Sequence, residues 1–450
     1  MTSIMTSPTR AGRQQPSEWP REPQTVAETG LDFGLLLDLT LKSIYSAGRP
    51  SARLIGERMG LSFAVVNELL QFLRKQEYVE IVGSTGAGEL DYQFAPTSKG
   101  LEKTREALEK TQYVGPAPVP FDLYAHHVAL QSVRSMAVSA GSVGAALANL
   151  VLEPALVERI GTAFASGRSI FLHGEPGNGK SSIAEATAAM LPGEILVPYA
   201  FEIYGQIVRV FDPRVHLPAK ATAADDASGE GDAVAPSRVF EAMQRPADKR
   251  WCVARRPVVI AGGELTLADL ELGYSPTGKF YVAPLQVKAN NGVFVIDDFG
   301  RQRLSPAELL NRWLVPMDRR VDHLSLQTGE SFELTFDTLL IFATNIEPEQ
   351  LGDEAFFRRI RHKIRIGDPD EATYRRILAA AALGYGIVYE KDVADYLIEK
   401  YYRRAGRPFR GVHPRDIVEL LIDSSRYRGR QPEFSFQQID QACASYFLRE

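Results

Sequence analysis

The sequence predicts an α/β fold: a parallel sheet covered by helices on both faces, closed by a C-terminal helical domain and preceded by a small domain of helices and a hairpin. Three observations carry this. Short apolar strands at "SIFLHG", "GVFVIDD" and "LLIFATN" alternate with helical stretches, the pattern of strands buried on both sides. A glycine-rich turn and the helix "KSSIAEATAAML" follow the first of these strands. From about residue 368 onward the spacing is helical, as in "EATYRRILAAAALGYG", "EKDVADYLIEKYYRR" and "HPRDIVELLIDSSRY".

The totals fit several domains. The chain has 450 residues, 45 % of them apolar, enough for two or three cores. A formal net charge of −5 argues against a surface that generally coats nucleic acid or anionic membrane. The two cysteines, Cys252 and Cys443, have no C-x-x-C companion, which removes a zinc ribbon or a disulfide framework. The first 28 residues carry prolines and charges without an apolar h-region, and no run of 18 apolar residues follows. A cytoplasmic protein, not inserted in a membrane, with a disordered segment over 1–28 is expected.

Taken in order, residues 29–112 form the first domain. "LDFGLLLDLTLKSIYSAG", "SARLIGERMG" and "SFAVVNELLQFLRKQEYV" have helical apolar spacing, the last opening on the N-cap Ser62. "VEIVGS" and "DYQFAPTSKG" then alternate around "GSTGAGE", which reads as a hairpin. Three helices and a hairpin look like a winged helix-turn-helix domain. Between 31 and 112 ten Lys or Arg face eleven Asp or Glu, a poor electrostatic footprint for DNA. Protein docking or structural packing is therefore favoured over duplex DNA. Residues 113–127 hold three prolines within five positions and read as a stiff linker. The α/β domain spans 128–367, starting with helices up to 166 in which Pro154 suits a first turn. Inside it, "ATAADDASGEGDAVA" (221–235) has no periodicity and is expected to be a flexible acidic insertion. "FEIYGQIVRVFDPRVH" and "WCVARRPVVIAGGELTL" suggest extra strands with no evident purpose. The helical domain, 368–450, closes the chain.

The glycine-rich turn carries the chemistry. "GEPGNGKS" matches G-x-x-x-x-G-K-[S/T] after a strand and at the head of a helix, the context in which that motif binds phosphate. Gly174, Gly177 and Gly179 let backbone amides turn inward beside the positive end of the helix dipole. Glu175, Pro176, Asn178 and Ser182 complete the loop and its exit. Lys180 would reach the β and γ phosphates of ATP, and the Ser181 hydroxyl would bind Mg²⁺. At the end of "VFVIDD", Asp297 offers a carboxylate to the same ion. The letters "DFG" also occur in protein kinases, but an H-R-D loop and a β3 lysine motif are missing. His126, His127, His173, His216, His323, His362 and His413 have no zinc-ligand spacing and read as structural or surface residues.

With the phosphate loop, "VFVIDD", "LLIFATN" and a helical C-terminal domain in this order, the chain resembles the AAA+ ATPases, a branch of the P-loop NTPases, over roughly 128–450. The resemblance makes Asp297 the Walker B metal carboxylate and puts Asp298 at the position of the catalytic acid. It makes Asn345 the sensor 1 residue that orients the attacking water. "DEAFFRRIRHKI" fits the place of an arginine finger, Arg359 first and Arg358 second, and "GVHPRDIVELL" resembles the sensor 2 helix with Arg415 aimed at the γ-phosphate. "FYVAPLQVKANNGVFVIDDFGRQ" and "LLNRWLVPMDRRVDHLSLQTGESFEL" are similar to the MoxR-like and enhancer-activator branch, in which a β-hairpin precedes sensor 1. "DHLSLQTGESFELTF" alternates around Thr328-Gly329, so the hairpin also follows from pattern alone. The GAFTGA loop of the enhancer activators is missing, and the N-terminal domain departs from the usual MoxR layout.

The resemblance implies an oligomeric, ring-like ATPase acting as a chaperone-like remodeller or assembly factor for a protein client. A nucleotide-gated, DNA-associated regulator is the alternative from another class. A third reading is a switch that holds ATP with slow or no hydrolysis. Aspartate at 298 is shorter than glutamate by roughly 1.5 Å of reach, and misplacing a catalytic group by about 1 Å can cost on the order of 10²-fold.

Overall fold

The computed structural model describes residues 19–186, 190–219, 247–303, 305–350 and 357–447. The expected insertion at 221–235, residues 1–18 and the stretch 351–356 lie outside them.

Helices α1 (Phe33–Ala47), α2 (Ala52–Met59) and α3 (Phe63–Lys75) each start on a side-chain cap, from Asp32, Ser51 and Ser62. Strands β1 (Val79–Ser84) and β2 (Tyr92–Pro96) pair antiparallel. The alternation in "DYQFAPTSKG" suggested strand to its end, but the strand stops at Pro96 and Thr97 caps a fourth helix, α4 (Ser98–Lys110). Gly100 in the first turn of α4 packs on β1's approach: a Cβ there would lie 1.8 Å from the Tyr78 carbonyl oxygen.

Two expectations are corrected here. Residues 19–28 are ordered rather than disordered, with Val26 buried and the Ser62 hydroxyl donating to the Pro23 carbonyl at 2.6 Å. A few anchored contacts outweigh a composition that lacks periodicity. The proline-rich stretch 113–127 is not a free spacer either. The Ala117 amide donates to the Met59 carbonyl at 2.7 Å, β3 (Val119–Pro120) pairs in parallel with β6 (Ala200–Ile203), and α5 (Phe121–Leu130) follows at once. Prolines suit β3 because it is an edge strand.

A buried ion pair fastens these parts together. Arg250 and Asp248, 2 % and 4 % exposed, bond through both carboxylate oxygens, and the Arg250 guanidinium also donates to the carbonyls of Thr29 (3.0 Å) and Pro118 (3.3 Å).

After α6 (Ala140–Ala146), helix α7 (Pro154–Ala165) opens on Pro154 as expected. Then come β4 (Ile170–His173), the glycine-rich loop and α8 (Lys180–Ala186). Strand β5 (Glu194–Pro198) pairs antiparallel with β8 (Trp251–Arg255). A mixed sheet has the order β10-β11-β7-β6-β3, with β7 at Gln206–Arg209, β10 at Gly273–Ser275 and β11 at Phe280–Val282.

The central sheet is parallel, in the order β16-β4-β15-β12-β9. Its later members are β12 (Val293–Ile296), β15 (Leu339–Thr344) and β16 (His362–Arg365). Strand β9 (Val258–Ala261) comes from "WCVARRPVVIAGGELTL" and is the edge of this sheet, which corrects its reading as an extra strand. Residues 170, 172, 293, 295 and 341 face α6, α7 and α8 through Val143, Ile160, Phe164 and Ile183. The alternate residues, including Phe171, Phe294, Ile296, Leu340 and Phe342, face Leu309, Leu310 and Trp313 of a helix at Pro306–Arg319. That helix is α10, after the short α9 (Leu285–Lys288). Burial on both faces explains why these strands read as unbroken apolar runs.

Between α10 and β15 lies the expected hairpin, β13 (Val321–Ser325) and β14 (Ser331–Thr335), turning at Gly329 with φ 95°. Helices α11 (Glu371–Gly384), α12 (Lys391–Ile398), α13 (His413–Tyr427) and α14 (Phe436–Tyr446) enclose a separate core of Leu378, Leu397, Ile417, Leu421 and Ile439. Among the described residues no helix is long and apolar enough to cross a membrane.

Candidate functional site: the loop between β4 and α8

The loop leaves β4 and enters α8 with Gly174, Gly177 and Gly179 at φ 136°, 83° and 83°. At Gly174 a side chain is also barred by space, since a Cβ would lie 2.3 Å from the Ile366 carbonyl oxygen. Lys180, 6 % exposed, folds back so that its ammonium donates to the carbonyls of Gly174 and Glu175, both at 2.9 Å. Burial draws its pKa down, opposed by the fields of Asp297, Asp298 and Glu175. A polyphosphate entering the loop would replace two neutral acceptors with charged ones at this ammonium.

Both aspartates follow β12 directly, on the strand one removed from β4. Asp297 is half-buried, and one carboxylate oxygen accepts from the Asp298 amide at 2.9 Å. Asp298 is exposed, adopts φ 49°, and meets the Asn345 side-chain amide in a long contact of 3.5 Å. Gln302, which sequence reasoning missed, latches this turn: it donates to the Asp297 carbonyl at 2.9 Å and accepts from the Gly300 amide at 2.7 Å. A glutamine two residues beyond a glycine carries no distinctive pattern. The structure thus brings Lys180, Asp297, Asp298 and Asn345 to one end of the sheet.

Magnesium fits the donors present. The Ser181 hydroxyl and the Asp297 carboxylate are hard oxygen ligands of the kind Mg²⁺ shares with nucleotide phosphates. The described residues hold no cluster of three or more His, Cys, Asp or Glu, so the ion would depend on ligand oxygens.

Arg415 is not aimed at the loop. It is 71 % exposed, and its Nε donates to Glu419 one turn along α13 at 2.8 Å. The arginine brought to the loop is Arg410, which bonds Asp368 and reaches Glu175 at 3.2 Å. Next to it the Gly411 amide donates to Asn178 at 3.0 Å and the Val412 amide to the Gly177 carbonyl at 2.7 Å. The helical domain therefore rests on the phosphate loop through residues 410–412, ahead of the helix that sequence reasoning selected. Beside Asn178 a cavity of about 240 Å³ has a mixed lining, apolar at Val151, Leu152 and Ile366 and charged at Glu153, Arg159 and Asp368.

Arg358 and Arg359 lie between Phe357 and β16. Arg359 is bound within its own chain, its Nε donating to Asp318 at the end of α10 at 2.6 Å, while Arg358 is exposed.

A phosphate loop between β4 and α8, a parallel sheet and a helical region resting on the loop define the fold. It is that of the P-loop NTPases. One family model, a domain of unknown function, DUF8689, matches residues 370–445, the C-terminal helices. No curated protein matches the sequence. Among solved structures, the chain is similar to NtrX from Brucella abortus in complex with ATP, at 15% identity over 66% of this chain and 56% of that one, with a TM-score of 0.38. It is also similar to the RuvB Holliday junction branch migration motor of Thermotoga maritima, at 12% identity over 65% of this chain and 69% of that one, with a TM-score of 0.35.

Proposed function

We propose that the chain is an ATP-binding, ATP-hydrolysing ATPase of the AAA+ kind that works with Mg²⁺ as an oligomer, remodelling or assembling a protein client. The observation that carries this is the convergence of Lys180, Asp297, Asp298 and Asn345 at one end of the parallel sheet. Lys180 would leave its two loop carbonyls for the β and γ phosphates. Asp298 would take a proton from the attacking water, and the Asn345 amide would orient that water. Bound Mg²⁺, held by Ser181 and Asp297, would neutralise charge on the phosphates. The base would occupy the cavity of mixed lining beside Asn178. Arg358 or Arg359 of a neighbouring copy would complete the site, and release of Arg359 from Asp318 would be needed for the second of these. The exposed tip of the β13–β14 hairpin, residues 327–330, and the N-terminal domain would meet the client.

Phosphate release by the purified chain tests the proposal, with Lys180→Ala as blank. Asp298→Asn should retain ATP and lose turnover by about 10²-fold or more. Equal release from all three proteins would sink the catalytic claim. The shorter reach of aspartate at 298 favours slow hydrolysis as the second reading; a tight ATP complex with no turnover would establish the switch. Duplex DNA remains the weaker partner reading, and failure to shift a duplex at low salt would remove it.

A further inference from the structure

A cavity of about 550 Å³ lies between the N-terminal helices and the β6–β7 turn, away from the phosphate loop. That is within the size range of small-molecule sites, roughly 300–1,000 Å³. Leu35, Leu39, Leu73, Tyr78 and Ile207 make its wall apolar, and Lys42 lines it as well. Lys42 is 1 % exposed, and its ammonium donates to a neutral acceptor, the Thr111 carbonyl, at 3.0 Å. Burial pulls its pKa down to about 8, with Asp38 opposing and Lys110 reinforcing.

The other charges around the cavity are not equivalent. Lys279 also donates to a neutral group, the Glu109 carbonyl, at 2.6 Å. The acids lining the cavity are already engaged: Asp38 with Lys110 at 2.9 Å, Asp32 as the cap of α1, and Glu202 with the Gly205 amide at 2.7 Å. Lys103, also on the lining, is paired with Glu106 at 2.8 Å, so Lys42 and Lys279 are the lining lysines bonded to backbone carbonyls, Lys42 buried in the apolar wall with Asp38 near it and Lys279 part-exposed. The desolvated ammonium of Lys42 gains more from an anion than a surface lysine does, because the local dielectric is low.

We propose that this cavity binds a small amphipathic carboxylate, with its apolar chain along the leucine wall and its head group at Lys42 and Lys279. The site joins α1 and α4 of the N-terminal domain to the mixed sheet, so the ligand would touch both.

Titration calorimetry of the full chain with decanoate tests it, with decan-1-ol as the neutral match. Decanoate should bind at least about tenfold more tightly than the alcohol, a difference of about 1.4 kcal/mol. Lys42→Met should erase that preference while circular dichroism and ATP binding stay unchanged. Lys279 stands nearer the rim, so Lys279→Met keeps the test valid should Lys42→Met fail to fold; it should weaken decanoate by about threefold or more. Equal affinity for acid and alcohol, no binding of decanoate at about 1 mM, or unchanged decanoate affinity in the lysine variants would each overturn the proposal.

Discussion

Asp298 occupies the left-handed backbone region at φ 49°, where aspartate is tolerated better than longer side chains because its short carboxylate can bond locally. The geometry gives a physical reason for an aspartate at this turn, and the same strain opens a test. Asp298→Gly should raise stability by about 1 kcal/mol by removing the strained Cβ, while phosphate release falls to background. Thermal unfolding and turnover measured on one sample would reveal the opposite signs. The two acids and the Gly-Lys-Ser run were legible in the sequence because the chemistry prescribes residue types at fixed spacing. The strain at 298 and the latch of Gln302 were not, since both depend on where the chain turns after β12. Arg415 misled for a related reason: residue type selects an arginine, but helix phase decides which way it points, and here it faces Glu419.

At the scale of elements, the loop preceding α13 holds the helical domain against the phosphate loop. Arg410→Ala should speed release of a fluorescent nucleotide by about tenfold, since it removes charge-assisted bonds to Asp368 and Glu175. Arg415→Ala should change release by less than about twofold, as expected of an exposed pair. The Arg250–Asp248 pair has a larger stake. Arg250→Ala would leave a buried carboxylate unpaired and should cost about 3–5 kcal/mol in denaturant unfolding. A surface control such as Arg426→Ala should fall within about 0.5 kcal/mol. Central strands β4, β12 and β15 were readable from their apolar runs. Strand β9 was legible as a strand but not as a member of this sheet, because an edge strand alternates, with Ile260 half-exposed, and carries no motif that ties it to the phosphate loop. Helix α4 was missed because its start, Thr97-Ser98-Lys99-Gly100, looks like the end of a hairpin.

For the whole molecule, the proposed finger requires a second copy. Mixing Arg358→Ala/Arg359→Ala subunits with Asp298→Asn subunits should restore hydrolysis to about a quarter of wild type or less, and activity that never returns on mixing would count against a shared site. The phosphate loop, the central strands and the C-terminal helices were visible in the residue pattern, but how the first helices attach to them was not. Tyr113, Ala117, Ala200 and Ile207 belong to the same apolar core as α1–α3, so what reads as a linker is a wall of the first core.

The sheet order has a consequence for biosynthesis. Strand β4 pairs with β15 and β16, Ile170 lying opposite Ile341 and His362. Both neighbours are translated long after it. A nascent chain halted before Leu339 already carries every residue of the glycine loop, yet its strand has bare edges and nothing to hold the loop's shape. The shape of the glycine loop therefore arrives late on the ribosome, and until then the apolar strand β4 is in need of shelter.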